Sequence, residues 1–206
     1  MNTTVEVIKQ LRGETGAGVM ECRKALEQSN HNFEKALTCL RETALIKAKK
    51  QTDREALEGK IELYSHNNGR IGVMVEINIE TEFASRSQVF HNFAHEIALQ
   101  ITSASPLYVR DEDIPQTVLD EQARAASEQA RAAGKPERIV EKIVAGVLEK
   151  YKNKCVLLRQ AYIRDETITV AQLLSQTISR IGENIVISRF VRWELCPDPD
   201  ATTPIL

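Results

Sequence analysis

The stretch Thr15-Gly16-Ala17-Gly18-Val19-Met20-Glu21-Cys22-Arg23-Lys24-Ala25-Leu26 constrains this chain most, because its glycines imitate a phosphate loop without the residues that make one work. Gly13 and Gly18 have P-loop spacing, but that motif needs Lys and then Ser or Thr after the second glycine, and a strand before the first. Val19 and Met20 stand there instead, and Val5, Ile8 and Leu11 recur upstream at a helical interval after Thr4, a candidate cap. The glycines therefore read as a turn between two short helices, where a residue without Cβ lets the chain leave one helix and enter the next sharply. The turn sets Val19 and Met20, both apolar, at a helix start beside Arg23 and Lys24.

Amphipathic segments fill residues 4–43. The second carries Val19, Cys22, Ala25 and Leu26; the third begins near Asn32, a good cap, and carries Phe33, Ala36, Leu37 and Leu40. Helices this short bury little, which predicts a compact three-helix docking module over 1–45. A charged segment over 46–57, starting Ile46-Lys47-Ala48-Lys49-Lys50, lacks an apolar stripe and reads as a linker or solvated helix extension.

From residue 58 the period changes to alternation. Ile61 and Leu63, the Asn67-Asn68-Gly69-Arg70 cluster, and Val73, Val75 and Ile77 predict a β-hairpin. Ser87 caps a helix whose face is Phe90, Phe93, Ala94, Ile97, Ala98 and Ile101, stopped by Pro106. Pro115 opens a helix to about Ala133, and Pro136 opens another with the stripe Ile139, Ile143, Val147 and Tyr151. Thr169 caps a last helix, carrying Leu173, Leu174, Ile178 and Ile181 and ended by Gly182. Ile185, Ile187, Val191 and Trp193 then form a final alternating strand. The class is α+β: a three-helix module followed by a core over 58–196, with a small three-stranded antiparallel sheet and packed helices, and a polar tail over 197–206.

The chain has 206 residues, 42% of them hydrophobic and 27% charged, with a formal net charge of −2. Near neutrality argues against binding nucleic acid mainly by phosphate neutralisation. No apolar run approaches the roughly 20 residues that span a bilayer, and no signal or transit peptide is expected. Cys22, Cys39, Cys155 and Cys196 lack CxxC pairing; Cys22 and Cys39 read as small buried residues in a reducing compartment.

Residues 15–26 resemble the amino-terminal signature of the bacterial-type elongation factor Ts family, Thr-Gly-Ala-Gly, two apolar residues, an acid, Cys, two bases, Ala-Leu, with Val19, Glu21 and Arg23 as mild departures. A second segment, Asn78-Ile79-Glu80-Thr81-Glu82-Phe83-Ala84-Ser85-Arg86, is similar to the family's Asn-x-Glu-Thr-Asp-Phe-Val-Ala-Arg, with Glu82 for Asp and Ala84 for Val. Residues 136–146 and 180–195 are similar to later family blocks, although Val147 replaces a usual Arg and Arg159 and Ala161 interrupt a usual Leu-Leu-Glu-Gln-Pro run. The resemblance implies a divergent short-form member whose amino-terminal module is of the ubiquitin-associated type. Its implied partner is elongation factor Tu, whose guanine-nucleotide domain would receive Phe83 between its helices. Val19, Met20, Arg23, Thr81, Glu82, Phe83 and Ala84 are the partner-binding residues carried over. Also implied are a homodimer whose sheets pack face to face and a bacterial-type cytoplasm, or a plastid. From the residues alone, Phe83 is either a core plug or a partner anchor.

Other constellations point to little chemistry. His91 and His95 lie four apart on a helix, but Asn92 replaces the Glu of H-E-x-x-H and no third ligand presents itself, so solvated histidines are expected and no metal. Glu76, Glu80 and Glu82 read as a charged face; Lys47, Lys49 and Lys50 face solvent or an acidic partner. No nucleophile has an identifiable adjacent base, and no cofactor is implied. The leading reading is a nucleotide exchange factor with no bond-making site, neither nucleic-acid nor membrane binding; the alternative is a nucleic-acid or ribosome-binding adaptor using the module and the Lys47–Arg54 segment.

Overall fold

A computed structural model describes residues 4–51 and 54–195, without the side chains of Thr4 and Lys49. The Thr4 cap, the Lys49 reading, Thr52 and Asp53 of the charged segment, Cys196 and the 197–206 tail lie outside the described residues or side chains.

Helix α1 (Thr4–Thr15) ends because Gly16 turns left-handed at φ +67, its N–H donating to the Arg12 carbonyl at 2.9 Å. Gly18 then enters α2 (Val19–Gln28) from an extended conformation. Asn32 starts α3 (Phe33–Gln51), its Oδ1 accepting from Lys35 N at 3.0 Å. Leu11, Cys22, Ala25, Leu26, Ala36, Leu37 and Leu40 close one small core, with Val7, Ile8 and Phe33 against it. Val5 is 61% exposed and lies outside that core, so the first helix turns its stripe to Val7, Ile8 and Leu11.

Helix α3 continues as far as Gln51, into the charged segment. Ala44 and Ala48 are buried, and Ala48 belongs to the larger core of the chain. One helix thus serves two clusters. Its first half closes the module; its second half packs along α8 (Val170–Ile181). Small residues among lysines carry this contact, which is why no apolar stripe announced it. Lys47 is also engaged, forming an ion pair with Glu21 of α2.

Strands β1 (Glu58–His66) and β2 (Ile71–Ile79) form the expected hairpin, with Asn67, Asn68 and Gly69 all at positive φ. β5 (Ile185–Glu194) pairs antiparallel on the other side of β2, giving the order β1-β2-β5. One face, with Val73, Val75, Ile77, Ile79, Ile185 and Ile187, packs on Phe90, Phe93, Ala94, Ile97 and Ile101 of α5 (Gln88–Ala104). The alternation expected through β5 breaks at a bulge: Glu76 pairs with Arg189 but Ile77 with Ile187. The extra residue, Ser188, reverses the parity of the strand. Phe190 therefore packs against the core, and Val191 and Trp193 turn to the other face.

The caps at Ser87 and Thr169 are formed, accepting from Phe90 N at 3.3 Å and Gln172 N at 3.2 Å. α6 (Gln116–Ala132) and α7 (Glu137–Cys155) make an antiparallel hairpin. Its seam includes Val140, while Ile139 is 45% exposed, so the stripe predicted from Ile139 is rotated by one residue at its start. A second small sheet, β3 (Ala161–Tyr162) with β4 (Asp165–Thr169), was not predicted, since strands this short display no period. Cys22 and Cys155 are buried free thiols; Cys39 is only half-buried, contrary to the expectation for it. Among the described residues no helix is long and apolar enough to cross a membrane.

Candidate functional site

The most informative side chain is Phe83. It sits in α4 (Glu82–Ser85), a single turn between β2 and α5, and is 89% exposed. That removes the core-plug reading. Burying a phenylalanine side chain is worth roughly 1.5–3 kcal/mol, which the fold forgoes here. The exposure is not a consequence of a loose loop. Thr81 caps the turn, its Oγ1 accepting from Ala84 N at 3.2 Å, and Ser85 donates to the Glu82 carbonyl at 2.7 Å. Ala84 and Ser85 are buried beneath it.

Ala84, carried over with the same motif, is 5% exposed and its side chain belongs to the larger core, where it anchors the turn that carries Phe83 outward and offers a partner little surface of its own. Glu82 is exposed and ion-paired with Arg86 one turn on. Thr81 is held from across the chain: Glu183 accepts from its N–H at 3.0 Å and from its hydroxyl at 2.8 Å. Glu183 lies 102 positions away, and no local pattern marks it.

The second group stands on α2. Val19 is 49% exposed and Met20 70%, at the first turn of the helix. Their neighbours Cys22, Ala25 and Leu26 take the buried face, so the outward pair is dictated by the helical period rather than by disorder. Arg23 projects to solvent and pairs with Glu27 at 2.8 Å. Glu21 points back to Gly18 N, and its bond to Lys47 keeps its carboxyl below the usual range. The two groups lie on separate elements, α2 of the module and α4 of the core. A cleft of about 340 Å³ opens between the α1–α2 corner (Gly13 to Gly16), α5 (Asn92, Glu96) and α8 (Arg180).

The remaining candidates form no catalytic set. Glu76 pairs with Arg189 at 2.7 Å, and Glu80 accepts from Asn184 N at 2.5 Å, so the acids are separately engaged. His91 Nδ1 lies 3.0 Å from Lys60 Nζ and His95 Nδ1 3.4 Å from Glu62, so both histidines face β1 rather than solvent alone. No cluster of His, Cys, Asp or Glu that could hold a metal occurs among the described residues. Arg159, which interrupts the family pattern, instead makes a paired contact with Asp111, 2.5 Å from each carboxylate oxygen.

Comparison with known proteins gives this arrangement a lineage. The family model described as Elongation factor TS matches residues 4–196. The chain belongs to the elongation factor Ts family. It is 48% identical over 192 residues to Elongation factor Ts of Carboxydothermus hydrogenoformans, covering 93% of this chain and 88% of that one. It is 47% identical over 191 residues to Elongation factor Ts of Thermoanaerobacter sp., covering 93% and 94%. With Elongation factor Ts of Coprothermobacter proteolyticus the identity is 45% over 195 residues, covering 95% and 99%. The matches span the module and the core together, so both outward-facing groups lie within the shared length.

Proposed function

We propose that this chain is a guanine nucleotide exchange factor of translation elongation, binding elongation factor Tu and promoting release of GDP so that GTP can rebind. The observation that carries this reading is Phe83, an aromatic held fully outward on a capped and anchored turn. An exposed aromatic on a rigid support is the form of an interface anchor, since little ordering entropy remains to be lost on docking. Val19 and Met20 supply a second apolar contact on the module, with Arg23, Thr81 and Glu82 at the margins. No bond is made or broken by this protein in the proposed cycle. Its action is differential affinity: it binds better to the GTPase conformation that holds nucleotide poorly, and by linkage bound nucleotide weakens the factor to the same degree.

The same reading places the protein in a bacterial cytoplasm as a homodimer. Ile61, Leu63, Met74 and Trp193 are exposed on the outer face of the sheet, 57%, 70%, 43% and 73% respectively, an apolar surface that a second copy would cover.

The test is GDP release from purified elongation factor Tu with and without the protein. Acceleration at substoichiometric amounts is expected; an unchanged release rate removes the proposal. A salt titration of the complex separates it from nucleic-acid binding, which weakens log-linearly with salt.

A further inference from the structure

A one-turn helix has no intrinsic stability in water, so what holds Phe83 outward must come from elsewhere in the fold. The hydrogen bonds answer this. Both oxygens of Glu183 reach the residue that starts the turn: Oε2 accepts from Thr81 N at 3.0 Å and Oε1 from Thr81 Oγ1 at 2.8 Å. With its proton directed to Glu183, that hydroxyl turns a lone pair to Ala84 N, 3.2 Å away, which is the capping bond of α4. The grip is reciprocal, since Glu80 at the end of β2 accepts from Asn184 N at 2.5 Å. Each of the two loops thus lends a carboxylate to the backbone of the other. The loop that carries Glu183 also receives α3: Gln51 donates to the Gly182 carbonyl at 3.0 Å, and Asn184 Nδ2 donates to the Arg54 carbonyl at 2.7 Å.

We propose that Glu183 is a positioning residue for nucleotide exchange: its carboxylate fixes Thr81 as the cap of α4 and so aims Phe83, in a frame shared with the end of the module's long helix. This rests on the exchange reading above. In this role Glu183 acts through Thr81, to which both of its carboxylate oxygens are bonded. The geometry asks for a carboxylate in particular. Two donors of one residue converge on it, and an amide would offer one acceptor oxygen and set an N–H against the other donor. The role therefore predicts a graded series, wild type above Glu183→Gln above Glu183→Ala.

The experiment compares these variants and Thr81→Val, which removes the hydroxyl with little change of shape, alongside Thr81→Ser, which keeps it. Amide hydrogen exchange of the free protein reads the turn directly. In Glu183→Ala the Thr81 and Ala84 amides are expected to exchange faster, with the amides of β2 and α5 still protected and the thermal midpoint close to wild type. The maximal rate of GDP release at saturating factor should fall by about tenfold, the loss that corresponds to about 1.4 kcal/mol. The half-saturating concentration should move less, because Val19 and Met20 still hold the partner. Thr81→Val should speed exchange of the Ala84 amide as Glu183→Ala does, and Thr81→Ser, which keeps the capping hydroxyl, should restore its protection. Unchanged exchange at Ala84, or a maximal rate equal to wild type, overturns the proposal. So does loss of protection throughout the core in both Glu183→Ala and Thr81→Val, since Glu183 would then be a general structural residue. Failure of the exchange reading is recognised separately, as absence of stimulated release with the wild-type protein.

Discussion

Trp193 stands directly opposite Gly72 in the ladder between β5 and β2, so a large aromatic is paired with a position that has no side chain of its own. Beside this pair, Met74 faces Val191 and Leu63 faces Met74 across the sheet. The outer face is thus a shallow apolar surface with a projecting indole at one end. Its expected occupant is a second copy, and light scattering at micromolar concentration should return twice the 23.2 kDa of the chain. Trp193→Asp should shift the mass toward the monomer without unfolding it. A wild-type mass equal to one chain refutes the dimer.

Acid should loosen the contact between Asp111 and Arg159. Hydrogen bonds from Arg159 hold the Asp111 carboxyl below its usual range, and the coulombic pull of Arg159 and Lys152 adds to this. The sign follows from linkage. A carboxyl whose folded pKa is depressed contributes stability that is complete above its unfolded pKa of about 3.9 and is lost as pH falls through the lower folded value. Asp111→Asn should therefore cost about 1.5 kcal/mol at neutral pH, the low end for a hydrogen bond to a charged group, since both side chains are partly exposed. The gap from wild type should narrow in denaturant titrations below about pH 4. A gap independent of pH would mean that the ion pair contributes nothing.

Local chemistry was legible in the sequence, and register was not. The turn at Asn67 to Gly69 and the caps at Ser87 and Thr169 rest on interactions within a few residues, so residue type sufficed. The bulge at Ser188 depends on the partner strand, where Ser188 donates to Asn78, and nothing within β5 signals it. For the same reason Ala48 could not be assigned to the core: a small side chain among lysines is buried only because α8 lies against it. The site divides along the same line. Phe83 stood out as an aromatic among polar neighbours, yet only the structure decides that it points outward. Ala84 comes with Phe83 in the family motif as a partner-binding residue, but the helical turn sends adjacent side chains to different faces, and that of Ala84 is buried.

Val19 and Met20 should tolerate charge without loss of fold. Both project from the first turn of α2, away from the Cys22–Leu26 face, so replacing both with Asp removes little buried contact. Exposed substitutions of this kind usually change stability by no more than about 0.5 kcal/mol each. Affinity for nucleotide-free elongation factor Tu should nevertheless fall at least tenfold, because the apolar contact becomes a pair of desolvated charges, and 1.4 kcal/mol suffices for about that factor. Calorimetric titration beside a thermal melt checks both halves. A double variant that melts early and binds normally when folded would assign the pair to the module's own core.

Phe83→Ala tests the exchange step itself. Truncating an aromatic anchor at the centre of an interface costs about 2 kcal/mol or more, so binding and exchange should both decline. They should not decline equally. If Phe83 favours the open GTPase while Val19 and Met20 only hold it, stimulated GDP release must fall further than affinity for the nucleotide-free form, since only differential interactions shift a conformational equilibrium. The factor itself should be unharmed: at 89% exposure the ring contributes little to its own core, and the thermal midpoint should stay near wild type. Three measurements on the two proteins decide the matter: midpoint, affinity for nucleotide-free elongation factor Tu, and maximal GDP release. Equal proportional losses in affinity and release would make Phe83 a plain docking contact, and the conformational step would then have to arise from another part of the surface.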